Sequence, residues 1–248
     1  MTARAPVRAD FWPRVLHELR AKRLRQQHRR HAAKGELEAY MGPVEWSQLR
    51  ATVEALAPQS VVEWGAGGGT RALLEACPTI EHYVSIEHDR GWFERLRGAV
   101  RDERLELEHV APNLPEPERN LLQKATRERY EAWVARCERD PDAMRDYVAR
   151  PAQRIDSVDL VLVDGRARCF CLAEGYRLLR PGGVLLLHDA QRAEYRSALS
   201  QLGEAVFLEP WELGQLALSR KPLPPAAVPS LVASSLLAPF AVARSAGS

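Results

Sequence analysis

"VVEWGAGGGT", residues 61–70, sets two β-branched residues, an acid and a tryptophan directly ahead of four glycines in five positions. Glycine has no Cβ, so such a cluster tolerates a left-handed backbone and lets another molecule approach the main chain closely. The apolar run before the cluster reads as a strand and the stretch after it as a helix. In an open α/β sheet the turn between them lies at the carboxyl edge, where helix-start N–H groups point outward and ligands bind.

Working outward, the same alternation continues. Short β-rich runs at 60–64, 82–87, 104–110, 158–164 and 183–189 are separated by stretches able to form helices. That pattern predicts a Rossmann-like, doubly wound α/β fold with a seven-stranded, mostly parallel sheet. Two later runs, "AVFLE" (205–209) and "LGQLALS" (213–219), predict an antiparallel hairpin closing the sheet. Residues 1–42 read as a basic helical extension, 43–220 as the main domain and 221–248, with "KPLPPAAVPS", as a flexible tail. The connection 111–157 is longer than one crossover helix needs, and Leu122, Ala125, Trp133 and Cys137 recur in it at helical spacing. A helical insertion over the acceptor side is expected there, with a dimer contact or simple sheet cover as the alternatives.

Composition excludes several classes. A chain of 248 residues, 46% apolar and 27% charged, buries a sizeable core. No apolar run approaches the roughly 20 residues of a membrane span, and "MTARAPVRAD" lacks a secretory apolar segment, so a cytoplasmic location is expected. Cys77, Cys137, Cys169 and Cys171 form no C-x-x-C pair and read as reduced, packed thiols. The net charge is +2, yet residues 1–34 hold ten Lys or Arg against Asp10 and Glu18. This arm could meet nucleic acid, but "KRLRQQHRRH" has no aromatic residue on which a base could stack. A solvated helix is the plainer expectation, with Asp10 as cap, Pro13 in the first turn and Val15, Leu16 and Leu19 as an apolar stripe.

The glycine spacing narrows the ligand. A dinucleotide fingerprint would set a third glycine at 70, where Thr70 stands, and a phosphate loop would need a following lysine. What remains is acid-x-G-x-G-x-G, from Glu63 through Gly65, Gly67 and Gly69. With "SIEHD" (85–89), "DLVLVDG" (159–165) and "LLRPGGVLLLHD" (178–189) following in order, residues 43–219 resemble the class I S-adenosylmethionine-dependent methyltransferases. The set E-W-G-x-G-G-x-T, V-D-G-R-x-R and H-D-x-x-R-x-x-Y resembles in particular a bacterial, O-methyltransferase-like subgroup acting on small molecules.

The resemblance implies S-adenosylmethionine as cofactor, held by Glu63 at its ammonium group, by the stretch Gly65, Ala66, Gly67, Gly69 and Thr70 at its carboxylate, and by Glu87 at its ribose hydroxyls. His88 would flank the adenine, and "EHVAPN" offers Asn113 and main chain for the adenine amine. Asp164, His188 and Asp189 are the candidate catalytic residues, each at a strand's carboxyl end. Two mechanisms are open. Asp164 and Asp189 could hold a divalent cation, although Ala190 stands where related metal sites carry an asparagine; or His188 could act as general base, the preferred alternative. Arg166, Arg168, Arg192 and Tyr195 could bind an acceptor carrying carboxylate, phosphate or hydroxyls, or could pair with nearby acids. Methylation of a hydroxyl on a small polar acceptor is the expected reaction, with no membrane span and a possible homodimer. A nucleic-acid methyltransferase and a non-catalytic adenosyl- or dinucleotide-binding module are the rivals.

Overall fold

The computed structural model describes residues 11–34, 36–117 and 124–224. Its strands are β1 (Ser60–Trp64), β2 (His82–Glu87), β3 (Leu105–His109), β4 (Val158–Val163), β5 (Leu179–Leu187), β6 (Ala205–Phe207) and β7 (Ala217–Arg220). They form one seven-stranded sheet in the order β3-β2-β1-β4-β5-β7-β6. The first five strands run parallel, and β7 is antiparallel to both β5 and β6. The expected fold class and closing hairpin are therefore present, and the sheet reverses its winding between β1 and β4.

Strand alternation explains the two-sided core. Val62, Trp64, Val84, Ile86, Val161, Val163, Leu185 and Leu187 project into one apolar cluster. Their neighbours Val61, Tyr83, Leu160, Leu162, Val184 and Leu186 project into the other. Both faces are buried, as a parallel sheet requires. Helix α2 (Pro43–Leu56) and helix α3 (Gly68–Ala76) cover the second cluster through Leu49, Val53, Leu73 and Leu74. Helix α4 (Arg90–Ala99) adds Leu96 to a smaller cluster with Leu37 and Ala66.

The long connection is helical as expected but splits into α5 (Lys124–Cys137), a short α6 (Arg145–Ala149) and a 3-10 turn at Arg150–Gln153. Trp133 and Cys137 are buried in the first cluster, whereas Ala125 is exposed and Leu122 lies outside the described residues. The insertion thus covers the sheet, and Tyr147 ties α6 to the core by accepting the Trp64 indole N–H at its carbonyl, 3.1 Å away.

Helix α1 (Phe11–Ala33) carries the basic arm. Its expected apolar stripe is not buried: Leu16 and Leu19 are 56% and 58% exposed, while Asp10 lies outside the described residues and nothing is described of the Val15 side chain. The helix is seated instead by small and aromatic contacts, with Ala21 buried, the His17 ring 4.4 Å from that of Trp211 and the His28 ring 4.7 Å from that of Tyr40.

Two last helices, α7 (Arg168–Leu178) and α8 (Ala193–Ser200), flank β5 in sequence. Strand β5 begins four residues before the predicted run, where Leu179 pairs with Val158 of β4 ahead of a register shift, and Gly182 and Gly183 exchange main-chain hydrogen bonds with Lys221. The Lys221 ammonium also donates to the carbonyls of Tyr176, Arg177 and Leu179, closing the C-terminal end of α7. Lys221 is thus held to the sheet, and the part of the predicted tail at 225–248 is outside the described residues. All four cysteines are free. Among the described residues no helix is long and apolar enough to cross a membrane.

Candidate active site

The carboxyl edge of the sheet opens into a cavity of about 540 Å³. Its floor is the turn between β1 and α3. Gly65 takes φ +102 there, and an added Cβ would lie 2.5 Å from the Gly165 nitrogen, so both conformation and space require glycine. Gly67 and Gly69 behave oppositely: a Cβ at either would meet nothing within 4 Å. No packing inside the protein demands glycine at those two positions; the space they leave belongs to the cavity.

Beneath the loop, Glu63 is 2% exposed, and its Oε2 accepts hydrogen bonds from the Thr70 and Ser85 hydroxyls, both at 2.6 Å. Thr70 in turn accepts the Gly67 N–H at 2.9 Å, which caps α3. Burial pushes Glu63 up to about 7, against the lowering effect of its two hydroxyl partners. Thr70 is fully buried and absent from the cavity wall; the expectation that it touches a ligand gives way to a capping role. Gly65, Ala66, Gly67 and Gly69 do line the wall, joined by Gly68, which the motif did not single out.

Glu87 and His88 end β2 on the same wall. Glu87 is 4% exposed; its Oε1 accepts the Asp89 N–H at 2.6 Å, and its Oε2 has no partner among the described residues. The His88 ring has Nδ1 2.9 Å from Glu87 Oε1 but no hydrogen bond in good geometry at either nitrogen. Trp133 lies alongside that ring at 6.3 Å. Asn113 does not reach the cavity, because its amide is paired with Asp146 through two hydrogen bonds of 2.8 and 2.9 Å. Trp92 stands at this end of the wall instead.

At the opposite end the three candidate catalytic residues come together. Asp164 Oδ1 lies 2.8 Å from His188 Nδ1, and His188 Nε2 lies 3.4 Å from Glu45 Oε2. Asp189 follows directly in a left-handed conformation, φ +62. Glu45 was not visible as a site residue in the sequence. It is fully buried at the third position of α2, behind Pro43, where it takes the Gly42 N–H at 3.0 Å. Its other oxygen accepts from the Glu212, Leu213 and Gly214 N–H groups. The only signal in the sequence was the Gly-Pro-x-Glu helix start, which reads as a capping box.

This arrangement changes what His188 can do. The ring is 5% exposed, and burial alone would lower its pKa. The Asp164 charge and hydrogen bond, the Glu45 hydrogen bond and the Asp189 charge outweigh burial and raise it to about 10. His188 is therefore a cation near neutrality, held between two carboxylates, and the free basic nitrogen that a general base needs is missing. The Glu45 carboxylate is correspondingly held low by His188 and the surrounding N–H groups, despite burial.

Arg168 takes up the pairing alternative and not the acceptor contact. It is 5% exposed, with Nε donating to Gly165 O at 2.9 Å, Nη1 to His188 O at 2.6 Å and Nη2 to Asp164 O at 3.0 Å. Nη2 also lies 3.2 Å from Asp164 Oδ1, and Nη1 lies 3.3 Å from Asp189 Oδ2. Every nitrogen of this guanidinium is engaged by the protein, so it organises the two strand ends instead of reaching an acceptor. Tyr195 is 1% exposed and forms no part of the cavity wall; it packs its ring 5.3 Å from the Arg168 guanidinium. Arg166 and Arg192 do line the cavity.

The same geometry tests the metal alternative. A divalent cation between Asp164 and Asp189 would have to displace Arg168 and His188, which already neutralise both acids. Ala190 offers no side-chain oxygen to complete such a set. Among the described residues the only cluster of three metal-ligating side chains is His31, Glu36 and Glu38, which includes neither of these acids. A metal does not fit here.

Solved structures share this fold at low identity. A methyltransferase-like protein from Silicibacter pomeroyi is 23% identical with a TM-score of 0.51, over 77% of this chain and 93% of that one. An O-methyltransferase from Bacillus cereus, solved in complex with S-adenosylhomocysteine, is 12% identical with a TM-score of 0.52, over 82% and 90%. A methyltransferase from Geobacter sulfurreducens is 17% identical with a TM-score of 0.50, over 81% and 89%. No family model matches the chain, and no curated protein matches it. At these identities the likeness establishes the fold.

Proposed function

We propose that this chain, which has the fold of class I methyltransferases, is an S-adenosylmethionine-dependent enzyme that methylates a hydroxyl of a small polar acceptor. The observation that carries the reading is the pairing of Gly67 and Gly69, whose missing side chains open only into the cavity, with Glu87 Oε2, a carboxylate oxygen without a partner on the same wall. The buried, unpartnered nitrogens of His88 sit beside it. The three features fit a ligand with an amino-acid end, a ribose and a purine.

When bound, S-adenosylmethionine supplies a methyl group on a sulfonium centre, ready for in-line displacement. Glu87 would accept the ribose hydroxyls, a two-point contact suited to one carboxylate. Exposed amides of the glycine turn would take the carboxylate. Glu63, raised to about 7 by burial, would be held ionised by an ammonium group placed over it, so cofactor charge and pocket charge offset each other.

Positioning of the acceptor supplies much of the rate in such a transfer. Asp164 Oδ2 would accept the hydrogen bond from the acceptor hydroxyl, since it has no partner among the described residues, whereas each oxygen of Glu45 and Asp189 is engaged. As the hydroxyl gives its proton to Asp164 Oδ2, the adjacent cations His188 and Arg168 would stabilise the negative charge that develops.

Calorimetric titration with S-adenosylmethionine, S-adenosylhomocysteine and NAD tests this reading. Binding of the two sulfur nucleosides, weakened roughly tenfold or more by Glu87→Gln, is the expected result. Preference for NAD, or binding indifferent to Glu87→Gln, would overturn it.

A further inference from the structure

Acidic and basic side chains share the cavity wall, but not every cation there is in contact with a carboxylate. Arg168 and His188 are taken up by Asp164, Asp189 and Glu45. Three arginines remain on the wall: Arg25 from α1, Arg166 after β4 and Arg192 before α8. Arg25 is exposed and forms no hydrogen bond or ion pair with any described residue. Arg166 is half-buried and oriented by Tyr130, whose hydroxyl accepts from Nη2 at 3.1 Å while its ring stacks 5.8 Å from that of Trp133. The Arg166 Nε is buried yet has no hydrogen-bond partner. That nitrogen is closed off from the cavity, so the Nη groups are the part of Arg166 that can meet a ligand there. Arg192 keeps one contact, Nη2 to Asp189 Oδ2 at 3.0 Å, and its side chain is 43% exposed.

We infer that the acceptor is a small anion whose carboxylate or phosphate is seated on Arg166, with Arg25 and Arg192 at the rim; this rests on the methyltransferase reading above and specifies its substrate class. A planar guanidinium held from one side by Tyr130 presents its remaining Nη N–H groups to an oxyanion, a geometry that lysine could not reproduce. The basic helix extends the same charge outward. Lys22, Arg23, Arg29 and Arg30 are all exposed on α1 beside Arg25, and Glu18 is the only acid among the helix residues whose side chains are described. Such a stripe steers anions toward the mouth of the cleft.

The test uses benzoate, phenyl phosphate and benzyl alcohol, titrated separately into protein saturated with S-adenosylhomocysteine. At least one of the two anions is expected to bind, the neutral alcohol at least tenfold more weakly. The better anion identifies carboxylate or phosphate as the group recognised. Arg166→Gln should weaken anion binding about tenfold while leaving S-adenosylhomocysteine affinity and the circular dichroism spectrum in place. Raising salt from about 50 to about 300 mM should weaken it in the unmodified protein, a readout that needs no variant. Equal binding of the alcohol, no anion binding by cofactor-loaded protein, insensitivity to Arg166→Gln, or tighter binding of a single-stranded oligoribonucleotide than of phenyl phosphate would each overturn the inference. Failure of S-adenosylhomocysteine itself to bind would instead remove the reading beneath it.

Discussion

Glu45 Oε2 lies 3.4 Å from His188 Nε2 across 143 residues of sequence, and the contact completes a buried charge chain from Glu45 through His188 and Asp164 to Arg168 and Asp189. Three carboxylates and two cations alternate along it. Each is costly to bury alone and tolerable only with its neighbours.

That alternation has a pH signature. His188 is raised from an ordinary 6.5 to about 10, so the folded state holds its proton more tightly than the unfolded chain does. The stabilisation is fully present below about pH 6.5 and is lost as pH rises toward about 10. Melting temperature followed across this range should fall on the alkaline side. Glu45→Gln should lower stability by about 3 kcal/mol and bring the fall to lower pH, because the imidazolium loses one partner. A flat profile between pH 7 and 10 in the unmodified protein would contradict the assignment.

Methyl transfer should survive metal removal. The Arg168 guanidinium stands between the acids that would otherwise ligate a cation, so dialysis against a strong chelator should leave turnover unchanged, and added Mg²⁺ or Mn²⁺ should not raise it. Arg168→Lys should reduce both stability and turnover, the latter by about tenfold or more, since three ammonium protons cannot serve three carbonyls and two carboxylates. Turnover abolished by the chelator and restored by Mn²⁺ would refute this.

Gly67 separates folding from binding. An alanine there meets nothing within 4 Å in the protein, so Gly67→Ala should melt within about 1 kcal/mol of the parent while losing tenfold or more in S-adenosylhomocysteine affinity. Gly65→Ala, at φ +102 and against Gly165, should unfold more readily. If Gly67→Ala binds S-adenosylhomocysteine as well as the parent, the open face of the loop has no ligand.

The fold was legible because its signals are local. Strands 60–64 and 82–87 are visible to the residue in their β-branched, doubly buried runs, and the glycine cluster announces the turn that follows. The candidate site was legible only as positions. Asp164, His188 and Asp189 could be placed at strand ends, but their protonation depends on neighbours distant in sequence, Glu45 above all. Arg168 reads equally as an acceptor contact and as a partner of nearby acids until the carbonyls of Asp164, Gly165 and His188 are seen converging on it. The Leu16 and Leu19 stripe misled for a related reason: periodicity reports a helix, while burial depends on what lies opposite.

Glu45 draws its amide donors from residues 212–214, near the far end of the described chain. On a growing polypeptide those donors emerge at least 167 residues after Glu45 itself. The interior carboxylate and its imidazolium partner therefore wait, incompletely matched, until the connection between β6 and β7 has been made. A product halted before the closing hairpin would carry the glycine turn without the charge balance opposite it, and the end of the cavity holding Asp164 and His188 would be the part left unsettled.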